Sequence, residues 1–157
     1  MPDLSQFQRE LKRLPFIIEL PEALRTRVPR LFEEVASGKV FADGETLYNR
    51  GSQDKSAGAL LVTGSVEIDR GMGDPIIRRA PELFGEMMLL DENSRRMATL
   101  TALEESIVFE FTWDDLMEIA AKELTSDQML DLKYGLVKYA GARFDDLDEL
   151  RESEEES

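Results

Sequence analysis

Between residues 84 and 99 the chain reads Phe84-Gly85-Glu86-Met87-Met88-Leu89-Leu90, then Asp91-Glu92-Asn93-Ser94, then Arg95-Arg96-Met97-Ala98-Thr99. A glycine leading into a short helical run presents backbone amides that have no partner inside the helix, and such amides bind anions. Arg96 follows Glu86 by ten residues. From there an arginine can return across the cradle with a planar donor fork that suits a phosphate. A carboxylate at Glu86 can then accept hydrogen bonds from sugar hydroxyls. The same residues also have plain structural uses, as a turn, a first helical turn and a strand start.

Composition removes most competing chemistries. The chain has 157 residues, 42% hydrophobic and 33% charged, with neither histidine nor cysteine. Disulfides, thiol nucleophiles, Ser-His-Asp triads and ordinary zinc sites all require those side chains. A metal would need oxygen ligands, so no metal site and no required cofactor is expected. The 33 acids are too plentiful for any pair to stand out as an acid-base couple, and no enzyme is expected. The formal charge of −14 argues against a surface that tracks nucleic-acid phosphates or an anionic membrane. The first residues, Met1-Pro2-Asp3-Leu4-Ser5-Gln6, resemble no secretory leader, and no apolar run is long enough to span a bilayer. A cytoplasmic location is the expectation.

The elements that must position residues 84–99 fall into three stretches. Leu4, Phe7, Leu11 and Leu14 recur at helical spacing and Pro15 marks a stop. Pro21 to Ser37 reads as two short helices, with Pro29 opening the second, Phe32 and Val35 inward and Gly38 as terminal punctuation. From Lys39 to Phe111 short apolar runs alternate with turn signals such as Asp43-Gly44, Arg50-Gly51 and Thr63-Gly64. They predict strands at 46–48, 58–62, 65–69, 76–79, 97–103 and 106–111, the pattern of a sandwich, barrel or jelly roll.

Helix then returns. Thr112 with Asp115, and Thr125 with Gln128, are capping pairs. Met129, Leu132, Leu136 and Tyr139 form an apolar stripe that continues imperfectly through Phe144, Leu147 and Leu150. That stripe either packs on its own barrel or pairs with a second copy. Residues 141–157 hold eight acids and two bases, a net −6, leaving −8 for residues 1–140. The last six residues contain no apolar side chain to offset ordering entropy. The expected organisation is one domain over 1–140 (helical lead-in 1–38, jelly roll 39–111, C-terminal helices 112–140), with 141–157 as an acidic helix extension and disordered tail.

In order and spacing, these motifs resemble the cyclic-nucleotide-binding domain family, in particular the sensory domain of bacterial cAMP-receptor-type regulators. The resemblance runs from about Leu11 to Tyr139. It rests on Leu14-Pro15-Phe16, Leu20-Pro21, Gly44-Glu45-Thr46-Leu47-Tyr48, Arg50-Gly51-Ser52, Val62-Thr63-Gly64-Ser65-Val66-Glu67-Ile68 and the 84–99 segment. It implies a mainly β fold, an eight-stranded antiparallel jelly roll with N-terminal helices and a C-terminal helical pair, and makes 84–99 the phosphate-binding cassette. Glu86 then matches the family's ribose-binding glutamate, with Phe84 and Gly85 completing that element. Arg96 matches the arginine of the cyclic phosphate, Arg95 being the alternative if the loop is one residue shorter. Thr99 matches a framework Thr or Ser near the cassette's end. Met87, Met88, Met97 and Ala98 complete the ligand-binding set. Met97 stands where a hydroxyl would favour cGMP, so cAMP is the candidate ligand.

The expected function is a non-catalytic regulatory module that signals through its C-terminal helix. The chain would then be a sensor without the helix-turn-helix domain of its regulator relatives. A homodimer through that helix is possible, and the downstream protein partner is unknown. The alternative is a ligand-free jelly-roll scaffold whose pocket is filled by Met88 and Met97, Arg96 pairing with Glu86 directly.

Overall fold

The run Ala59-Leu60-Leu61-Val62 does not alternate between apolar and polar, and the fold supplies the reason: both of its faces are covered. The computed structural model describes residues 4–49, 57–71, 73–84 and 98–139. Its strands are β1 (Ser37–Phe41), β2 (Thr46–Tyr48), β3 (Ala57–Thr63), β4 (Ser65–Asp69), β5 (Ile76–Arg79), β6 (Glu82–Phe84), β7 (Thr99–Ala102) and β8 (Ser106–Thr112). They form two four-stranded antiparallel sheets, ordered β1-β8-β3-β6 and β2-β7-β4-β5. This is the strand order of a jelly roll, as the sequence predicted.

Side-chain alternation divides the interior into two cores. Ala59, Leu61, Phe84, Val108 and Phe41 from the first sheet meet Tyr48, Val66, Ile68, Leu100 and Ala102 from the second. The opposite side of the first sheet presents Leu60, Val62, Leu83, Phe109 and Phe111 to the helices. Those helices are α1 (Leu4–Leu11), α2 (Pro15–Ile18), α3 (Glu22–Val35), α4 (Trp113–Glu123) and α5 (126–139).

Phe32 lies at the centre of this second core, 1% exposed. Its ring is 5.1 Å from Phe111, 6.1 Å from Phe16 and 6.5 Å from Trp113. Gly58 makes room for that cluster, since a Cβ there would come within 2.7 Å of the Phe111 ring.

Several local readings match the structure. The strands at 46–48, 65–69 and 76–79 are found as predicted. Thr112 caps α4 by accepting from the Asp115 amide at 3.2 Å. At the head of α5, Thr125 and Gln128 cap one another's backbone amides, at 3.0 and 3.2 Å.

Others need correction. Residues 22–35 form one helix, with Pro29 inside it. An interior proline costs about 3 kcal/mol. Leu24, Val28, Leu31 and Phe32 are all buried along the same helix, each worth about 1.5–3 kcal/mol, and that burial outweighs the break. The Pro29 carbonyl also accepts from Gln8 Nε2 of α1 at 2.9 Å. Gly38 does not end the helix; Ala36 is its C-cap and Gly38 already lies in β1, so strand structure begins at Ser37. Strands β1 and β6 were not foreseen.

Gly64 turns β3 into β4 at φ +101°, and a Cβ there would collide with the Ser106 hydroxyl and lie 2.9 Å from the Ser106 Cα. Gly64→Ala should therefore cost about 2–3 kcal/mol, combining the left-handed penalty with a backbone clash. Urea unfolding measures it; a loss below about 0.5 kcal/mol would mean the hairpin relaxes freely.

The stripe Met129, Leu132, Leu136 and Tyr139 packs inward. Leu132 and Leu136 are buried, Met129 joins the helical core, and Tyr139 sits 5.6 Å from the Phe16 ring. It covers the chain's own core rather than offering itself to a second copy. Phe144, Leu147 and Leu150, like Arg50-Gly51-Ser52, lie outside the described residues.

Candidate functional site

β6 is an edge strand of the first sheet, hydrogen-bonded to β3, with Phe84 opposite Ala59. β7 is an inner strand of the second sheet, between β2 and β4, with Thr99 opposite Asp69. The chain therefore leaves the first sheet after Phe84 and re-enters the second at Thr99, the widest sequence gap between consecutive strands among the described residues. Both of its flanking residues are anchored in the same place. Phe84, 4% exposed, and Ala98, 8% exposed, belong to the core between the sheets.

Apolar anchors at both ends fix where the connection leaves and re-enters the barrel. Thr99 is half-buried in the β7 ladder. Of the predicted site residues, Phe84, Ala98 and Thr99 are thus placed. Gly85, Glu86, Met87, Met88, Arg95, Arg96 and Met97 lie outside the described residues.

The turns around the barrel are tied by backbone bonds. The Gly44 amide donates to the Ala102 carbonyl at 2.8 Å, and the Ala102 amide to the Glu45 carbonyl at 2.9 Å. The Gly44-Glu45 turn is thereby locked to the end of β7. Ser65 is buried and donates to Glu104 Oε2 at 2.8 Å, while Ser106 donates to the Glu104 carbonyl at 2.9 Å. These polar contacts close the far ends of β4 and β8, where a buried hydroxyl without a partner would be costly.

One apolar face escaped the sequence reading. Leu130, Tyr134 and Val137 are 65%, 72% and 46% exposed, on the side of α5 opposite Leu132 and Leu136. Their four-then-three spacing is visible in the sequence. It was overshadowed by the inward stripe, because a helix with two apolar stripes reads as one imperfect one.

Two four-stranded antiparallel sheets with helices packed on one of them make a jelly roll with a helical layer. The sequence model of the cyclic nucleotide-binding domain matches residues 38–123, more than half of the chain, and the chain belongs to that family. No curated protein matches it.

Solved structures resemble it in fold. The Thermus thermophilus catabolite activator protein superposes with a TM-score of 0.66 at 19% identity, over 88% of this chain and 62% of that one. The chain thus spans less than two thirds of that relative's length. A protein from the structural study "A cyclic-GMP-dependent signalling pathway regulates bacterial phytopathogenesis" gives 0.62 at 22% identity, over 81% and 96%. The complex "Sp-2Cl-cAMPS bound to PKAR CBD2" gives 0.60 at 17% identity, over 77% and 82%. Among the described residues, no helix is long and apolar enough to cross a membrane.

Proposed function

We propose that this cyclic nucleotide-binding domain is a non-catalytic, cytoplasmic regulatory module that binds cAMP in preference to cGMP and reports the bound state through α5. Residues 1–140 act as the sensing unit, with 141–157 an acidic extension. Glu86 holds the ribose, Arg96 the cyclic phosphate, and Met97 offers no hydroxyl to a guanine ring. The supporting observation is the anchoring of Phe84 and Ala98 in the core shared by both sheets. A ligand held between them acts on the first sheet, whose other side carries the helices.

Thermal shift and calorimetry with cAMP, cGMP and cyclic dinucleotides test this. A binder gains about 2.7 kcal/mol at a ligand concentration of 100 Kd. No shift at millimolar cAMP would remove this reading and leave the scaffold whose pocket holds Met88 and Met97.

The output end of the proposal is a second copy of the chain docked on Leu130, Tyr134 and Val137, which in turn positions a downstream protein partner. The four-then-three spacing of these residues is that of a coiled-coil seam. Leu130→Glu with Tyr134→Lys should convert a dimer to a monomer in light scattering while leaving the melting temperature of the isolated fold unchanged, since both side chains face solvent. A wild type that is monomeric at high micromolar concentration would rule this face out as a self-association surface.

A further inference from the structure

Helices α4 and α5 are separated by a break of two residues, Leu124 and Thr125. A break between two helices is a natural pivot. Hydrogen bonds cross it from a third element. Arg27, on α3, donates from Nη2 to the Glu123 carbonyl at the end of α4 at 2.8 Å, and from Nη1 to Gln128 Oε1 in the first turn of α5 at 3.3 Å. The same Gln128 oxygen closes the α5 cap by accepting from the Thr125 amide.

From this geometry we infer that Arg27 is a positioning residue: a pin that fixes the angle of α5 against α4 and so the direction in which the Leu130-Tyr134-Val137 face is presented. Three features support it. The two acceptors lie on opposite sides of the pivot, so any rotation of α5 about residues 124–125 stretches at least one bond. The guanidinium is a planar fork whose two Nη nitrogens reach one acceptor each in a fixed geometry, whereas a lysine donates from a single nitrogen. Arg27 is itself held on a tethered helix, because Gln8 of α1 donates to the Pro29 carbonyl at 2.9 Å and to Glu33 Oε2 at 2.6 Å. A chain of polar contacts therefore runs from the N-terminal helix to the C-terminal one across the outside of the helical core.

Burial of Leu132 and Leu136 supplies most of the affinity of α5 for the core, but apolar contact is non-directional. The directional bonds of Arg27 select one docking angle among those that bury the same leucines. The inference goes beyond the nucleotide reading and does not require it.

Amide hydrogen exchange of the nucleotide-free, full-length chain tests the pin. In Arg27→Ala, amides of 129–139 should exchange about fivefold to tenfold faster, while those of β3 and β8 keep their wild-type rates. Arg27→Lys should recover part of the protection. Gln128→Glu retains an acceptor for the Thr125 amide and offers Arg27 a charged one, so it should slow exchange in α5 when Arg27 is present and lose that effect in Arg27→Ala. Unchanged α5 rates in Arg27→Ala, equal acceleration throughout the chain, or the same Gln128→Glu effect in both backgrounds would each overturn the proposal. Because no nucleotide is added, failure of cAMP to bind leaves the result for Arg27 standing.

Discussion

Arg96→Ala is expected to weaken cAMP binding by roughly 100-fold or more, while leaving the unliganded melting temperature unchanged. The proposed contact is a charged, bidentate hydrogen bond to an anion. Losing one partner of such a pair costs about 2–5 kcal/mol, and each 1.4 kcal/mol is tenfold in affinity. Arg96→Lys should recover only part of the loss, since an ammonium supplies charge without the fork.

Arg95→Ala is the control for register, and should change affinity by less than about threefold, as expected of a rim charge. Calorimetry on the three variants decides. If Arg95→Ala carries the loss and Arg96→Ala does not, the connection is one residue shorter in register than assigned. If wild type shows no heat with cAMP, the nucleotide reading itself fails.

Phe32→Ala should destabilise the domain by about 4 kcal/mol, as expected for a large aromatic removed from a tightly packed core. That is a large fraction of the 5–15 kcal/mol typical of a folded domain. Phe32 contacts Phe16 of the lead-in, Phe111 of β8 and Trp113 at the start of α4. Its removal therefore leaves a cavity where three elements meet, which cannot collapse without moving one of them.

For a chain of this length the melting temperature should fall by about 10 °C. Val40→Ala, on β1 and 48% exposed, should stay within about 0.5 kcal/mol. A Phe32→Ala loss below about 2 kcal/mol would mean that the helices are held to the sheet mainly by other contacts.

The jelly roll was legible because its punctuation is local. Asp43-Gly44, Thr63-Gly64 and the glycines near 71–73 stand at the turns, and the glycines at 44, 64, 71 and 73 have positive φ, a conformation other residues rarely adopt. Strands between such turns were placed to within a residue or two. β1 escaped because four of its five residues are exposed, leaving no alternation to read. β6 escaped because it is three residues long and follows Pro81. Pro29 was misread for the opposite reason: its local preference is clear, and burial elsewhere on α3 overrode it.

At the candidate site the sequence offers residue types but no geometry. A glycine, a carboxylate and an arginine at cassette spacing can be read from residue types alone. That Phe84 and Ala98 anchor the segment in one core shared by two sheets depends on strand pairing, and no local pattern encodes that.

By itself, the sequence determined six of the eight described strands, the capping pairs at Thr112 and Thr125 and the glycine turns, since each follows from interactions within a few residues. The tertiary structure alone decided that α3 continues through its proline, that the Met129–Tyr139 stripe faces inward while Leu130, Tyr134 and Val137 face out, and that Arg27 spans the α4–α5 break. Those outcomes depend on which surfaces cover one another, a long-range competition for burial in which residues a hundred positions apart become neighbours.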